Sequence, residues 1–414
     1  MKKIYKIFAG AMSLLMVSAL SLSLYAGRTL PDYVYLAEGQ QVENLDLSAG
    51  GISGTAITVG APVQQVAAVE TDRYPVGLRI FGALSVKDIL VQVVPREYVL
   101  PGGMPFGIKM FTDGVMVVGM TDVINEGETI NPAKEAGIQL GDVITKVNGR
   151  RVSTNEEVAA LVEKSEGSPI TVQIRRDDQE IFEANVVPVR SDDAGGYRAG
   201  MWVRDSSAGI GTMTFIDPES GYFAGLGHGV CDIDTGNLMP LSSGEAVDVT
   251  ITGVTKGASG NPGELRGAFS ESRPMGLLLR NDVTGVYGQL NSASLDWGDV
   301  VPVPVAMRQE VKPGKAVVRT TIDDNEAAEY EITIERVTFS DSNPTRNMVI
   351  RTTDPELLSR TGGIVQGMSG SPILQNGKLV GAVTHVFVND PSRGYGIFAE
   401  NMEQCLSSLA NKKS

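Results

Sequence analysis

The apolar positions of this chain form one long run near its start and many short runs after it. Residues 7–27 are uncharged and mostly apolar, and three lysines lie among the six residues before them. A basic segment followed by an apolar one is typical of an export signal, and this one is also long enough to span a bilayer. Cleavage near Ala26 and retention as an anchor both fit the pattern, so we expect an exported chain.

Short apolar runs bounded by glycine and polar residues dominate the rest of the chain. Residues 80–94, 115–118 and 170–175 are examples, and such runs predict β-strands. The chain has 48 glycines and an aromatic content of 6%, which fits strands joined by tight turns. We therefore predict a mainly β protein.

Two helices interrupt the strand pattern between positions 95 and 190. Asn131 is a candidate N-cap, Pro132 occupies the first turn, and Gly137 ends a short helix. Residues 155–164 form the second helix, with apolar residues on one face.

Residues 136–144, Ala-Gly-Ile-Gln-Leu-Gly-Asp-Val-Ile, followed by Val-Asn-Gly at 147–149, resemble part of a PDZ domain. The resemblance implies an α+β module in which a peptide adds as a strand to a sheet edge, with its carboxylate held by loop N–H groups. Phe106, Gly107 and Ile108 are the candidate peptide-binding loop, and peptide termini are the predicted partners. The alternative is a groove that is unused or filled by the protein's own chain.

These patterns divide the chain into four regions. They are a signal or anchor segment at 1–27, an N-terminal region with a spacer at 28–94, the PDZ-like module at 95–190 and a peptidase-sized region at 191–414. The polar residues 191–196 mark the last boundary.

The charge and the counts of metal-binding residues exclude several function classes. A net charge of −14 argues against a nucleic-acid partner, which requires clustered Lys and Arg. Cys231 and Cys405 are too few for a disulfide framework, and the sequence leaves open whether they pair. The chain has two histidines and no His-Glu-x-x-His motif, so neither a metal nor another cofactor is predicted.

His228 stands between two glycines at the end of a predicted β-hairpin. Residues 211–216 and 222–229 are its strands, and 217–221 are its turn. A hairpin that ends in Gly-His-Gly exposes an imidazole at a strand end, which suits a catalytic base. A packed, structural histidine is the alternative.

Gly-Met-Ser-Gly-Ser-Pro at 367–372 resembles the nucleophile loop of chymotrypsin-like peptidases. A serine hydroxyl needs an adjacent base and nearby donors for the oxyanion. Gly367 lets the backbone turn so that the N–H groups of Gly367 and Ser369 can converge on that oxygen. We predict Ser369 as the nucleophile, with a Gly/Ser turn that has no chemistry as the alternative.

A hairpin and a strand at 379–386 follow the serine, and a strand and a helix end the chain. Chymotrypsin-like enzymes follow their serine in the same way, and that strand lines their specificity pocket. Thr384 and His385 are therefore candidate pocket residues, and an ordinary strand histidine is the alternative for His385. For 191–414 we predict a chymotrypsin-like double β-barrel.

The carboxylate that orients the histidine is less clearly marked. Chymotrypsin-like enzymes place it between the histidine and the serine, an interval that here contains ten aspartates. Asp354, which precedes Pro355, is one candidate, and its alternative role is a helix N-cap.

The order of export segment, PDZ module, Gly-Leu-Gly-His-Gly at 225–229 and Gly-Ile-Val-Gln-Gly-Met-Ser-Gly-Ser-Pro at 363–372 resembles one family. It is similar to the stage IV sporulation protein B serine peptidases of endospore-forming bacteria. The resemblance implies His228, Asp354 and Ser369 as catalytic residues, and export into the space between the forespore membranes. It also implies self-cleavage and cleavage of the regulator of an intramembrane metallopeptidase, which allows late sigma-factor maturation.

Two alternatives stay open from the sequence. An envelope quality-control protease usually carries its PDZ domain after the catalytic domain, whereas here the PDZ module comes first. A catalytically inactive, peptide-binding scaffold predicts that Ser369→Ala changes nothing.

Overall fold

The computed structural model describes residues 2–40, 47, 57–59, 73–80, 84–176, 180–270, 274–291, 300–323, 326–339 and 341–410. Strands dominate these residues, which confirms the prediction of a mainly β protein. Much of the predicted spacer within 28–94 lies outside the described residues.

The described N-terminal part consists of a helix and a small sheet. Helix α1 (Lys2–Thr29) is followed by β1 (Tyr33–Ala37), β2 (Ile57–Val59), β3 (Arg73–Ile80) and β4 (Leu84–Val94). The strand order is β1-β4-β3-β2, with β1 parallel to β4. Among the helices that the structure describes, none is both long enough and apolar enough to cross a membrane.

The middle of the chain contains eleven strands and two helices between residues 98 and 216. They are β5 (Tyr98–Pro101), β6 (Pro105–Met120), β7 (Val123–Asn125), β8 (Glu128–Ile130), α2 (Pro132–Glu135), β9 (Val143–Val147), β10 (Arg150–Arg151), α3 (Asn155–Lys164), β11 (Ile170–Arg176), β12 (Glu180–Val186), β13 (Val189–Arg190), β14 (Tyr197–Arg198) and β15 (Met201–Ile216).

The remaining elements follow between residues 222 and 410. They are β16 (Tyr222–Gly225), β17 (Leu241–Thr255), β18 (Glu264–Phe269), β19 (Gly276–Asp282), β20 (Gly285–Leu290), β21 (Val303–Pro304), a 3₁₀ turn (Arg308–Glu310), β22 (Gly314–Thr320), β23 (Ala328–Val337), β24 (Met348–Thr352), α4 (Pro355–Thr361), β25 (Pro372–Gln375), β26 (Lys378–Phe387), β27 (Asp390–Phe398) and α5 (Ala399–Ala410).

Two closed barrels follow from the strand pairings. The first barrel has the order β6-β17-β19-β20-β16-β15 and is closed by pairing of β15 with β6. The second barrel has the order β22-β23-β24-β27-β26-β25 and is closed by pairing of β25 with β22. The predicted chymotrypsin-like double β-barrel is confirmed.

The PDZ domain is inserted into the first barrel through two long strands. The first half of β6 pairs with β17 and the second half with β9, while β15 runs along both halves. Strands β9, β11 and β12 extend the sheet, and helix α3 packs Val158 and Val162 into the core of the domain. The sequence prediction instead placed the two domains one after the other, at 95–190 and 191–414. An alternating pattern predicts a strand, but it does not show that the two halves of that strand belong to different domains.

Phe106, Gly107 and Ile108 do not form a peptide-binding loop, which corrects that prediction. They lie inside β6, paired with β15 on one side and with β17 on the other. Phe106 and Ile108 are buried, and a Cβ on Gly107 would lie 2.6 Å from Val247 Cγ2. A peptide cannot add to a strand whose two edges are already paired, so the protein's own chain fills this edge.

A buried arginine fixes the N-terminal sheet against the second half of the chain. Arg308 is 1% exposed, and its side chain donates to Glu400 (2.5 Å), Asp341 (2.8 Å), Asn401 (3.1 Å) and the Tyr33 hydroxyl (2.8 Å). Tyr33 lies on β1, and its ring centroid is 4.3 Å from the guanidinium carbon. Because a buried charge is costly unless it is fully paired, these bonds hold β1 in place.

Candidate active site

The turn after β16 positions His228. Leu226 and Gly227 have φ values of 66° and 68°, so the chain leaves the strand through two consecutive left-handed residues. The imidazole that follows is largely buried, and its Nδ1 lies 2.9 Å from the Gly229 carbonyl oxygen. Because a carbonyl only accepts, Nδ1 carries the hydrogen in the neutral ring, and Nε2 is left as the proton acceptor.

The nucleophile loop is seated against β15 of the first barrel. Gly370 has a φ of 95°, and a Cβ there would lie 2.0 Å from the Thr212 carbonyl oxygen, so only glycine fits. The Thr212 N–H donates to the Ser369 carbonyl over 2.9 Å, and the Thr212 hydroxyl donates to the Gly367 carbonyl over 2.8 Å. Thr212 thus holds the carbonyls of Gly367 and Ser369, the two residues that flank Met368.

His228 and Ser369 line one cavity of about 530 Å³, together with Gly367. The structure therefore brings the predicted base and the predicted nucleophile to the same place. The Ser369 hydroxyl donates to the Thr384 carbonyl over 2.7 Å rather than to the imidazole. Rotation about the Cα–Cβ bond of Ser369 is needed before His228 can take its proton, which is common in ligand-free active sites.

The two amides predicted for the oxyanion hole are unused. Within the described residues, neither the Gly367 N–H nor the Ser369 N–H donates a hydrogen bond. Gly367 has a φ of 94°, which its lack of a side chain permits. Both N–H groups are thus available to a developing negative oxygen beside the nucleophile.

Asp354 is not brought to His228. It caps helix α4, where its Oδ1 accepts the N–H groups of Glu356 and Leu357, and its Oδ2 accepts the N–H of Glu331. It is not among the residues that line the cavity. The catalytic role of Asp354 stays a prediction, and in this structure the Gly229 carbonyl holds the position that a triad carboxylate would take on Nδ1.

Thr384 and His385 lie beside the nucleophile but do not line the 530 Å³ cavity. The Thr384 hydroxyl donates to the Thr345 carbonyl, while its own carbonyl accepts from Ser369. The His385 ring centroid is 4.9 Å from that of His228, and its Nδ1 is buried without a partner among the described residues. Burial, and then the nearby His228, lower the pKa of His385 to about 4. Their role in specificity stays a prediction.

Thr212 is the residue that sequence reasoning missed. The sequence placed it in the first strand of the predicted hairpin, but the carbonyl that its hydroxyl contacts, that of Gly367, lies 155 positions away in the chain. No local motif marks such a contact. A larger hollow of about 640 Å³ on the second barrel contains no serine, histidine or cysteine, so chemistry rather than size identifies the site.

The comparisons with known proteins agree with this geometry. Residues 195–403, about half of the chain, match the SpoIVB peptidase S55 family, and residues 88–186 match a PDZ domain. The chain belongs to the SpoIVB peptidase S55 family. This confirms the predicted family and class, a PDZ-containing serine peptidase.

Individual relatives of this S55 family member match shorter stretches. The chain is 25% identical over 210 residues to a Vibrio cholerae protein named as a zinc metalloprotease, covering 49% of this chain and 42% of that protein. It is 25% identical over 162 residues to the Danio rerio serine protease HTRA1A, covering 38% of this chain and 32% of that protein. The chain thus spans less than half the length of these curated relatives.

Among solved structures, the HtrA-type protease AlgW with a decapeptide is 12% identical, with a TM-score of 0.31. The match covers 53% of this chain and 56% of AlgW. The active form of the protease Rv3671c from M. tuberculosis is 14% identical, with a TM-score of 0.27, over 49% of this chain and 74% of that one.

Thr212→Val should slow the reaction of Ser369 with a fluorophosphonate about fivefold, since one buried hydrogen bond is worth about 1 kcal/mol. Valine keeps the shape and the backbone bond but removes the hydroxyl that holds Gly367. Thr212→Ser should restore most of the rate, which is measured as the second-order labelling constant. Thr112→Val removes a similar buried hydroxyl bond far from the loop, and it should leave the rate unchanged. Equal effects of Thr212→Val and Thr112→Val would contradict a positioning role.

Fluorophosphonate labelling of Ser369 should stay fast at a lower pH than it would if His228 had the pKa of an ordinary imidazole. Burial disfavours the charged ring and lowers the pKa of His228, so the ring stays neutral, and able to accept a proton, below its usual value of about 6.5. The rate is measured between about pH 4 and pH 8. His385→Phe preserves the burial and should leave the midpoint unchanged. If the labelling rate falls to half at about pH 6.5 or above, the value for an unperturbed imidazole, the buried, neutral state of His228 is contradicted.

Proposed function

We propose that this protein is an exported serine endopeptidase that cleaves itself and a membrane-associated regulatory protein, and thereby triggers sporulation sigma-factor processing. The observation that carries the peptidase part is the single cavity shared by His228, Ser369 and two unused amides. Family membership supports the sporulation role, and the basic and apolar N-terminus supports export to the space between the forespore membranes.

The geometry supports acyl transfer in two stages. The Ser369 oxygen attacks a peptide carbonyl while His228 Nε2 takes the hydroxyl proton, and the Gly367 and Ser369 amides bind the resulting oxyanion. His228 then gives that proton to the leaving amine, so the peptide bond breaks and an acyl-serine remains. Water, deprotonated by the same imidazole, releases the acid and restores Ser369.

The proposed partners are protein substrates, including this chain, a regulator of an intramembrane metallopeptidase, and peptide termini held by the PDZ domain. In the described structure, the chain's own β15 and β17 occupy both edges of β6 along residues 106–111. A peptide that adds to this strand must therefore displace one of them, or the PDZ domain must bind its ligand elsewhere.

Ser369→Ala should abolish both fluorophosphonate labelling and the appearance of autolytic fragments, because no other group in the cavity has a base and free amides beside it. N-terminal sequencing of the wild-type fragments gives the cleavage sites. Ser371→Ala is the matched control, since Ser371 lies in the same loop but bonds to Thr320. Labelling that survives Ser369→Ala, or that is lost in Ser371→Ala alone, would contradict the assignment. An unlabelled wild type would favour the peptide-binding scaffold.

We propose Asp354 as the third catalytic residue on the family resemblance. Asp354→Asn should then slow labelling at least about 100-fold, because asparagine cannot stabilise the imidazolium. Asparagine caps a helix about as well as aspartate, so thermal stability should barely change. If the rate is unchanged, the Gly229 carbonyl alone orients His228, and Asp354 acts only as the cap of α4.

A further inference from the structure

The active-site cavity has two walls beyond the catalytic residues. One wall is residues 207–210 of β15, and the other is residues 229–233, which follow His228. Its lining residues are largely apolar, and they include Ile108, Leu226 and Val230. This composition suits an aliphatic or aromatic side chain better than a charged one.

The acidic residue in this wall does not present its charge to the cavity. The Asp232 side chain is buried, and its Oδ1 accepts the N–H groups of Asp234 and Thr235. Arg204 donates to its Oδ2. The carboxylate therefore shapes the loop after His228, and the cavity stays apolar.

The path of the leaving half of a substrate follows from the position of His228. His228 must hand its proton to the leaving amine, so that half of the substrate passes along the loop that follows His228. The Thr384 carbonyl accepts the nucleophile's hydrogen, and Thr384 does not line this cavity.

Gly209 determines how much room the cavity has. Alternate strand residues share a face, so a side chain at Gly209 projects to the same side as one at Gly211. At Gly211, a Cβ would lie 2.0 Å from a methyl of Leu226, whereas a Cβ at Gly209 meets nothing within 4 Å. Leu226 and Gly209 both line the cavity. The missing side chain at Gly209 therefore leaves open a space that a larger residue would fill.

We propose that this cavity is a subsite for one large apolar side chain in the leaving half of the substrate, with Gly209 as its size-determining residue. The inference rests on the proposed peptidase function. A difference of a few methylenes in such a pocket gives a preference of about tenfold or more. We therefore expect Leu, Ile or Phe over Ala at one fixed position after the cut.

The test compares the full chain with Gly209→Leu, using a proteome-derived peptide mixture and mass spectrometry of the cut sites. Wild type should enrich large apolar residues at one position after the cut, and Gly209→Leu should shift that position at least about fivefold towards Gly, Ala and Ser. Gly209→Ala should give a smaller shift in the same direction. Ser206→Leu adds the same side chain to the same strand outside the cavity, and it should leave the preference unchanged.

Fluorophosphonate labelling separates the possible failures, because the bound probe leaves the leaving-group side empty. Wild type and Ser206→Leu should label at equal rates, and labelling of the Gly209 variants shows that they fold. If Gly209→Leu does not fold, Gly209→Ala carries the comparison. If the wild type labels normally but shows no apolar preference after the cut, the subsite proposal is wrong and the peptidase proposal is not affected. The same holds if an apolar preference exists but neither Gly209 variant alters it. A wild type that neither labels nor cuts overturns both proposals.

Discussion

The contact between the nucleophile loop and β15 is the constraint on which the site depends. A base on one barrel and a nucleophile on the other act together only if the two barrels are held within a fraction of an ångström. Here Thr212 bonds to carbonyls on both sides of Met368, and Thr214 bonds to the Gly370 carbonyl over 2.7 Å. Gly370 must lack a side chain for this approach, so the glycine after the serine determines how the barrels meet.

The same strand connects the active site with the PDZ domain. Strand β15 begins in the PDZ sheet, passes the wall of the catalytic cavity and ends beneath the nucleophile loop. Its N-terminal half is fixed partly through Asp205, whose carboxylate accepts the N–H of Asn155 at the start of α3 over 2.9 Å. Helix α3 and the nucleophile loop therefore both contact one continuous strand, β15.

Local motifs revealed the two residues that carry the chemistry. His228 follows Gly227, and Ser369 comes two residues after Gly367 and directly before Gly370. All three glycines have positive φ values, a conformation that favours glycine. Thr212 could not be found in this way, because its role comes from contact with residues far away in the chain. Asp354 has a local signal, but the signal is ambiguous. The same Asp-Pro pair fits both a catalytic carboxylate and the N-cap that the structure shows.

The error over Phe106, Gly107 and Ile108 has a similar cause. Glycine next to aromatic and aliphatic residues fits a binding loop, and it equally fits a strand whose Gly107 is packed against Val247. Only the pairing partners distinguish the two, and both partners lie about 100 residues or more downstream. Sequence patterning therefore predicted the fold class and the module, but not the insertion of one domain into the other.

The insertion also constrains how the protein can be divided. A PDZ domain appended to a terminus can be removed by a single truncation. Here its removal cuts through β6 and β15, two neighbouring strands of a closed barrel. A shortened protein that retains a working catalytic half must rejoin residue 112 to residue 206 with a tight turn, so that both remaining half-strands still pair.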